Sequence, residues 1–132
     1  MILVDANVLL DVLTNDPAWT EWSRDALARG EAEGLAINPI IFAEIAPAFR
    51  SEEEIVPLFA AVPLQKLPLP YAAAWPAAKA FVEYRRRGGV RTAPLPDFFI
   101  GAHAQVEGLR LLTRDAARFR RYFPEVALIC PA

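Results

Sequence analysis

The chain has 132 residues, 55% of them hydrophobic, and a formal net charge of −2. That length suits one domain, residues 1–132, burying about two thirds of the surface its unfolded form exposes. No apolar run reaches the roughly 18 residues that a membrane span needs, because Pro68, Pro70 and Pro76 interrupt the nearest approach, and no basic segment precedes the first apolar run as in a signal peptide. Cys130 is the only cysteine, so an internal disulfide is impossible and a reducing cytoplasm is the expected location.

Strand and helix signals alternate along the chain. Ile2 to Asp5 reads as a buried strand and Asn7 to Leu13 as a short helix. Asn15-Asp16-Pro17 offers a capping residue and a first-turn proline for a second helix, which runs to Gly30. Leu35 to Asn38 is a second strand, and Pro39 leads into an apolar helix that carries Glu44. Ser51 followed by Glu54 has the spacing of a capping box ahead of Ile55-Val56. Gln65 to Leu69 reads as a third strand, limited by its prolines. A long helix over 71–87 ends at Gly88-Gly89 with three arginines in its last turn. After a loop over 90–96 come a helix from Asp97 to Glu107 and a fourth strand from Leu109 to Thr113. An amphipathic turn through Phe119 and Tyr122 precedes a fifth strand over 126–130. The expectation is an α/β fold, a three-layer α/β/α sandwich with a mostly parallel central sheet of about five strands.

Charge is distributed unevenly. Residues 1–66 carry −7 and residues 67–132 carry +5, and 12 of the 14 bases are arginine. Such asymmetry fits an anionic partner for the second half as well as a plain compositional bias. Arg85, Arg86 and Arg87, with Arg91 nearby, form the leading phosphate-binding patch, and Arg118, Arg120 and Arg121 a second one.

Four acids stand where strands end or helices begin: Asp5, Glu44, Asp97 and Asp115. Ligands of open α/β sheets bind at the carboxyl ends of the strands. Acids gathered there repel one another and lose hydration, so a compensating cation is expected. Oxygen-only donors suit Mg²⁺ or Mn²⁺, and the residues point to metal-dependent phosphoryl transfer. Each acid also has a plainer reading: Asp5 as a mere strand terminator, Asp97 and Asp115 as helix caps, Glu44 as a solvent-facing helix acid. Asp11, on the first helix, reads as a surface acid. His103 falls about 240° round the helix from Asp97 at 100° per residue and reads as structural. Trp19 and Trp22, three residues apart, share a helix face that suits the core or a partner's groove.

The acid pattern separates the candidate families. Asp5-Ala6-Asn7 lacks the second acid of haloacid-dehalogenase-like phosphatases. No lysine follows a late strand, as a response-regulator receiver domain requires, and no Asp-x-Asp pair of the toprim type lies near a strand end. Glycine-rich phosphate loops, zinc-type Cys/His spacings and nucleophile elbows are also missing.

The remaining pattern resembles the PIN domain, and within it the VapC toxins of toxin–antitoxin pairs. It rests on Ile2-Leu3-Val4-Asp5-Ala6-Asn7-Val8-Leu9-Leu10-Asp11, on Glu44, on Pro96-Asp97, and on Leu111-Leu112-Thr113-Arg114-Asp115 with Phe119 and Phe123-Pro124 behind. The resemblance implies catalytic metal ligands at Asp5, Glu44, Asp97 and Asp115, oriented by Asn7 and Thr113. It further implies a Mg²⁺- or Mn²⁺-dependent ribonuclease that hydrolyses RNA with water as nucleophile. A cognate VapB-like antitoxin and a homodimer are the implied partners. A PIN-fold module that binds RNA or serves structure without cleavage is the alternative. The helix after Asp97 starts with Phe98-Phe99-Ile100, bulkier than is common in the family.

Overall fold

A computed structural model describes residues 1–132. Five short strands, β1 (Ile2–Val4), β2 (Leu35–Ile37), β3 (Leu64–Lys66), β4 (Arg110–Leu112) and β5 (Leu128–Ile129), form one sheet. The order is β3-β2-β1-β4-β5, and every pairing is parallel. β1, β2 and β4 are apolar on both faces because helices cover both, and their inner residues are almost wholly inaccessible. β3 and β5, at the edges, are less buried.

Seven α-helices connect the strands: α1 (Ala6–Leu13), α2 (Thr20–Gly30), α3 (Pro39–Ile45), α4 (Val56–Ala61), α5 (Ala74–Arg86), α6 (Pro96–Glu107) and α7 (Ala117–Tyr122). From β1 the chain steps outward through β2 to β3, then crosses to β4 on the other side of β1. Right-handed crossovers therefore put α1 and α2 on one face and α5, α6 and α7 on the other. The reversal of direction lies between β1 and β4, so the crevice of the fold opens at their carboxyl ends.

Several element boundaries differ from the expected ones for identifiable reasons. α2 begins at Thr20 rather than at Asp16, because the Asp16 carboxylate accepts from the backbone N–H groups of Ala18 and Trp19 and closes a separate turn. Asn15, with φ 55°, reverses the chain just before it. Ser51 caps nothing with its side chain; Glu54 instead accepts from the Arg50 N–H, and the segment starts as a 3₁₀ turn, Glu52–Ile55. The 71–87 helix is a 3₁₀ turn, Tyr71–Ala73, that runs into α5.

α6 is packed closely at one point. An ideal Cβ on Gly101 would lie 2.3 Å from the buried Phe123 ring, so only glycine lets that ring rest on the helix. Gly108, at φ 64°, ends α6 in the left-handed conformation and turns the chain into β4. Phe98, Phe119 and Phe123 are among the largest fully buried side chains. The bulky start of α6 is thus accommodated in the core.

Candidate metal centre

β1 and β4 are in register with Val4 opposite Leu112, so the next residues, Asp5 and Thr113, face each other across the crevice. The Asp5 carboxylate does two jobs there. One oxygen accepts from the Ala6 N–H at 2.8 Å and caps α1; the other accepts from the Thr113 hydroxyl at 2.8 Å. Thr113 Oγ1 in turn accepts from the Asp115 N–H at 3.1 Å and from Asn7 Nδ2 at 3.3 Å. Asn7 Oδ1 accepts from the Arg114 N–H at 3.3 Å. Asn7 and Thr113 therefore stitch the start of α1 to the segment that carries Asp115.

Asp97 is the second residue of α6, after Pro96 at its first position. The cap position belongs to Leu95, so Asp97 is not the N-cap that its place after Pro96 suggests. Its carboxylate lies 3.3 Å from Arg118 Nη1. Asp115 is exposed and does not cap α7 either, since Ala116 holds that position. Glu44 is partly buried on α3, and its Oε1 is inaccessible to solvent without any hydrogen-bond partner.

Electrostatics show that these groups share one region. Burial pushes the Asp5 carboxyl up to about 6, with further repulsion from Asp97 and Asp115 and an opposing pull from the Thr113 hydrogen bond. Glu44 rises to about 7, through burial first and then through the charges of Asp5 and Asp97. Burial also raises Asp97, partly offset by Arg118. All four acids thus belong to one field, although no three of them stand close enough as placed to hold an ion between them. The donor set fits a hard divalent cation: every donor is oxygen, neighbouring charges raise Asp5, Glu44 and Asp97, and Glu44 has an unmet buried acceptor.

Other assignments change in three dimensions. Asp11 is not a surface acid: at 2% exposure it accepts from the Ser23 hydroxyl and from Arg114 Nε, each at 2.8 Å. This joins α1 and α2 to the residue between Thr113 and Asp115. The same Arg114 guanidinium lies 5.5 Å from the Trp19 ring. Trp19 and Trp22 meet edge to face at 6.3 Å and are partly buried, and Trp22 packs against the core. His103 is buried, with Nδ1 2.9 Å from the Asn38 amide, and burial lowers its pKa, in keeping with a structural role.

Among the expected phosphate-binding arginines, Arg85 donates to the carbonyls of Gly89 and Arg91 and shapes the loop after α5. Arg87 pairs with Glu83 at 2.9 Å and lies over the Tyr122 ring at 5.8 Å. Arg118 and Arg121 instead line a cavity of about 400 Å³ beside Asp97 and Asp115, with Tyr84 and Tyr122 in its wall. Neither tyrosine stood out in the sequence as a site residue, Tyr122 appearing only as part of an amphipathic turn. Arg118 and Arg121 belong to the second arginine patch of the sequence, and the structure sets them beside two of the acids.

The fold is shared with chains of solved VapBC and FitAcB structures. VapBC from Salmonella typhimurium bound to DNA superposes with a TM-score of 0.73 at 22% identity, over 98% of this chain and 96% of that one. VapBC2 from Rickettsia felis, bound to a promoter DNA fragment, gives 0.71 at 19% identity over the whole of both chains. FitAcB from Neisseria gonorrhoeae gives 0.69 at 24%, over 98% and 96%. At these identities the likeness is one of fold. No curated protein matches the chain. The PIN domain family model matches residues 2–123, nearly the full length, and the chain belongs to that family.

Proposed function

We propose that the protein is a Mg²⁺- or Mn²⁺-dependent endoribonuclease acting as the toxin of a VapBC-type pair in the cytoplasm. The observation that carries this reading is the Glu44 oxygen, buried without a partner, in the field of two further acids at the crevice of a PIN fold. Such a site is unfavourable alone and becomes favourable with a cation.

Asp5, Glu44, Asp97 and Asp115 would hold the ion. When bound, it supplies Lewis acidity toward the phosphodiester and eases loss of a proton from the attacking water. Thr113 and Asn7 hold the Asp5 and Asp115 segments at a fixed separation, which preserves the spacing of the donors. Arg85, Arg86, Arg87 and Arg91, at the exposed end of α5 and its loop, would add contacts to RNA phosphates.

The fold shared with VapBC complexes supports a VapB-like antitoxin as partner. A two-fold homodimer is the commonest closed assembly. Exposed Tyr71, Trp75 and Val82, on α5 and the turn before it, offer apolar surface for such a contact.

The decisive experiment is Asp5→Asn, a nearly isosteric change that removes one charge from the cluster. Mg²⁺-dependent RNA cleavage should fall by at least about 100-fold, corresponding to loss of roughly 3 kcal/mol of transition-state stabilisation, while unfolding stays cooperative. Cleavage at the wild-type rate would show that the site is wrongly assigned.

A further inference from the structure

We propose that Arg118 is a resident counter-cation of the carboxylate site. It holds Asp97 while no divalent ion is bound and turns to a backbone phosphate of single-stranded RNA once the ion is in place. This rests on the nuclease reading and adds to it a named substrate contact that is coupled to the metal.

Three observations converge. Arg118 Nη1 lies 3.3 Å from Asp97 Oδ2, so a positive charge already stands against one of the four acids. Arg118 is exposed and Asp97 partly so, at 43% and 31%, and pairs open to solvent in this way are weak and readily exchanged. Both side chains also line one cavity together with Asp115 and Arg121, so the guanidinium can leave Asp97 without leaving the site.

The surroundings indicate where the released guanidinium goes. The cavity of about 400 Å³ that holds Arg118 also contains Arg121, and the Tyr84 and Tyr122 rings form its wall. Its volume lies within the roughly 300–1,000 Å³ usual for small-molecule sites. Planar guanidinium groups match phosphate oxygens in pairs, and tyrosine rings provide stacking surfaces for unpaired bases. Asp97 and Asp115 close the side nearest the metal centre. A phosphate next to the one being hydrolysed would find two arginines there, and its base an aromatic wall. With a divalent ion on Asp97, Arg118 loses its attraction to that acid and becomes free for the substrate.

The proposal requires effects of opposite sign from one substitution, which a purely structural ion pair would not produce. Mn²⁺ binding is measured by calorimetry for the wild type, Arg118→Ala and Asp5→Asn, with melting curves to verify folding. Arg118→Ala should bind Mn²⁺ about two- to fivefold tighter, because a weak competing charge has gone. In the presence of Mn²⁺ the same variant should bind a short single-stranded phosphorothioate oligoribonucleotide less tightly. The slope of its affinity against log salt should fall by about 0.7, one phosphate contact. Unchanged or weaker Mn²⁺ binding in Arg118→Ala overturns the counter-cation role, and an unchanged salt slope overturns the phosphate contact. Mn²⁺ binding that Asp5→Asn does not weaken, or none in the wild type, overturns the metal-site reading and this inference with it. Asp5-dependent binding that ignores Arg118 overturns this inference alone.

Discussion

Asp5 and Glu44, whose carboxyls titrate near 6 and near 7, make the site sensitive to pH around neutrality. Both values lie above those of free carboxyls, so the folded protein keeps these protons longer than the unfolded chain does. The stabilising difference is complete below the ordinary carboxyl range and disappears as pH rises through about 6 to 7. Metal-free protein should therefore melt at a higher temperature near pH 5 than near pH 8. Glu44→Gln should flatten that dependence, and added Mg²⁺ should recover more melting temperature at the higher pH. Thermal scans across pH, with and without chelator, check this; a wild-type profile indistinguishable from that of Glu44→Gln would refute it. The His103 imidazole, buried against Asn38 and held below its ordinary pKa, acts in the opposite direction, since its charging at lower pH opposes folding. For that reason the comparison between variants is the informative measurement.

Between elements, the contact that holds the site together is the Asp11 carboxylate. It receives Ser23 from α2 and Arg114 from the turn after β4, and it lies one helical turn beyond Asn7 on α1. Removing it leaves a hydroxyl without its partner and a guanidinium without its counter-charge at the edge of the crevice. Asp11→Ala should cost about 1–3 kcal/mol of stability, the range for leaving buried polar partners unsatisfied. Urea unfolding measures it, and a loss below about 0.5 kcal/mol would place Asp11 among ordinary surface positions. The sequence suggested a surface acid because spacing along α1 alone does not reveal that α2 folds back over it. Helix α6 carries a related lesson: Gly101 looks like a weak point in the helix but provides the contact with Phe123.

Across the whole molecule, the parallel order β3-β2-β1-β4-β5 puts the reversal of the chain beside β1 and β4. The acids gather there from residues 5, 44, 97 and 115, far apart in sequence. On the proposed function, expression of the protein alone should arrest growth and co-expression of its antitoxin should restore it. Asp97→Ala should abolish toxicity yet still co-purify with the antitoxin, because a single carboxylate contributes little to an interface of usual size. Persisting toxicity in that variant would end the nuclease explanation, whatever the partner does.

The alternation of apolar runs with Pro, Gly and capping residues was sufficient for an α/β fold, for the five strands and for Asp5 at the end of β1 and Asp97 at the start of α6. Those features are local, since they depend on periodicity and on which residues can start or stop a helix. Three-dimensional packing decided the rest. It made Leu95 the cap of α6 and left Asp97 free to meet Arg118. It drew Asp11 inward to Arg114, turned Trp19 and Trp22 toward each other, and brought Tyr84 and Tyr122 to the cavity beside Asp97. A sequence records which residues can bear charge or stack, but the partner of each is set when distant elements pack, and burial then determines which charges can persist unpaired.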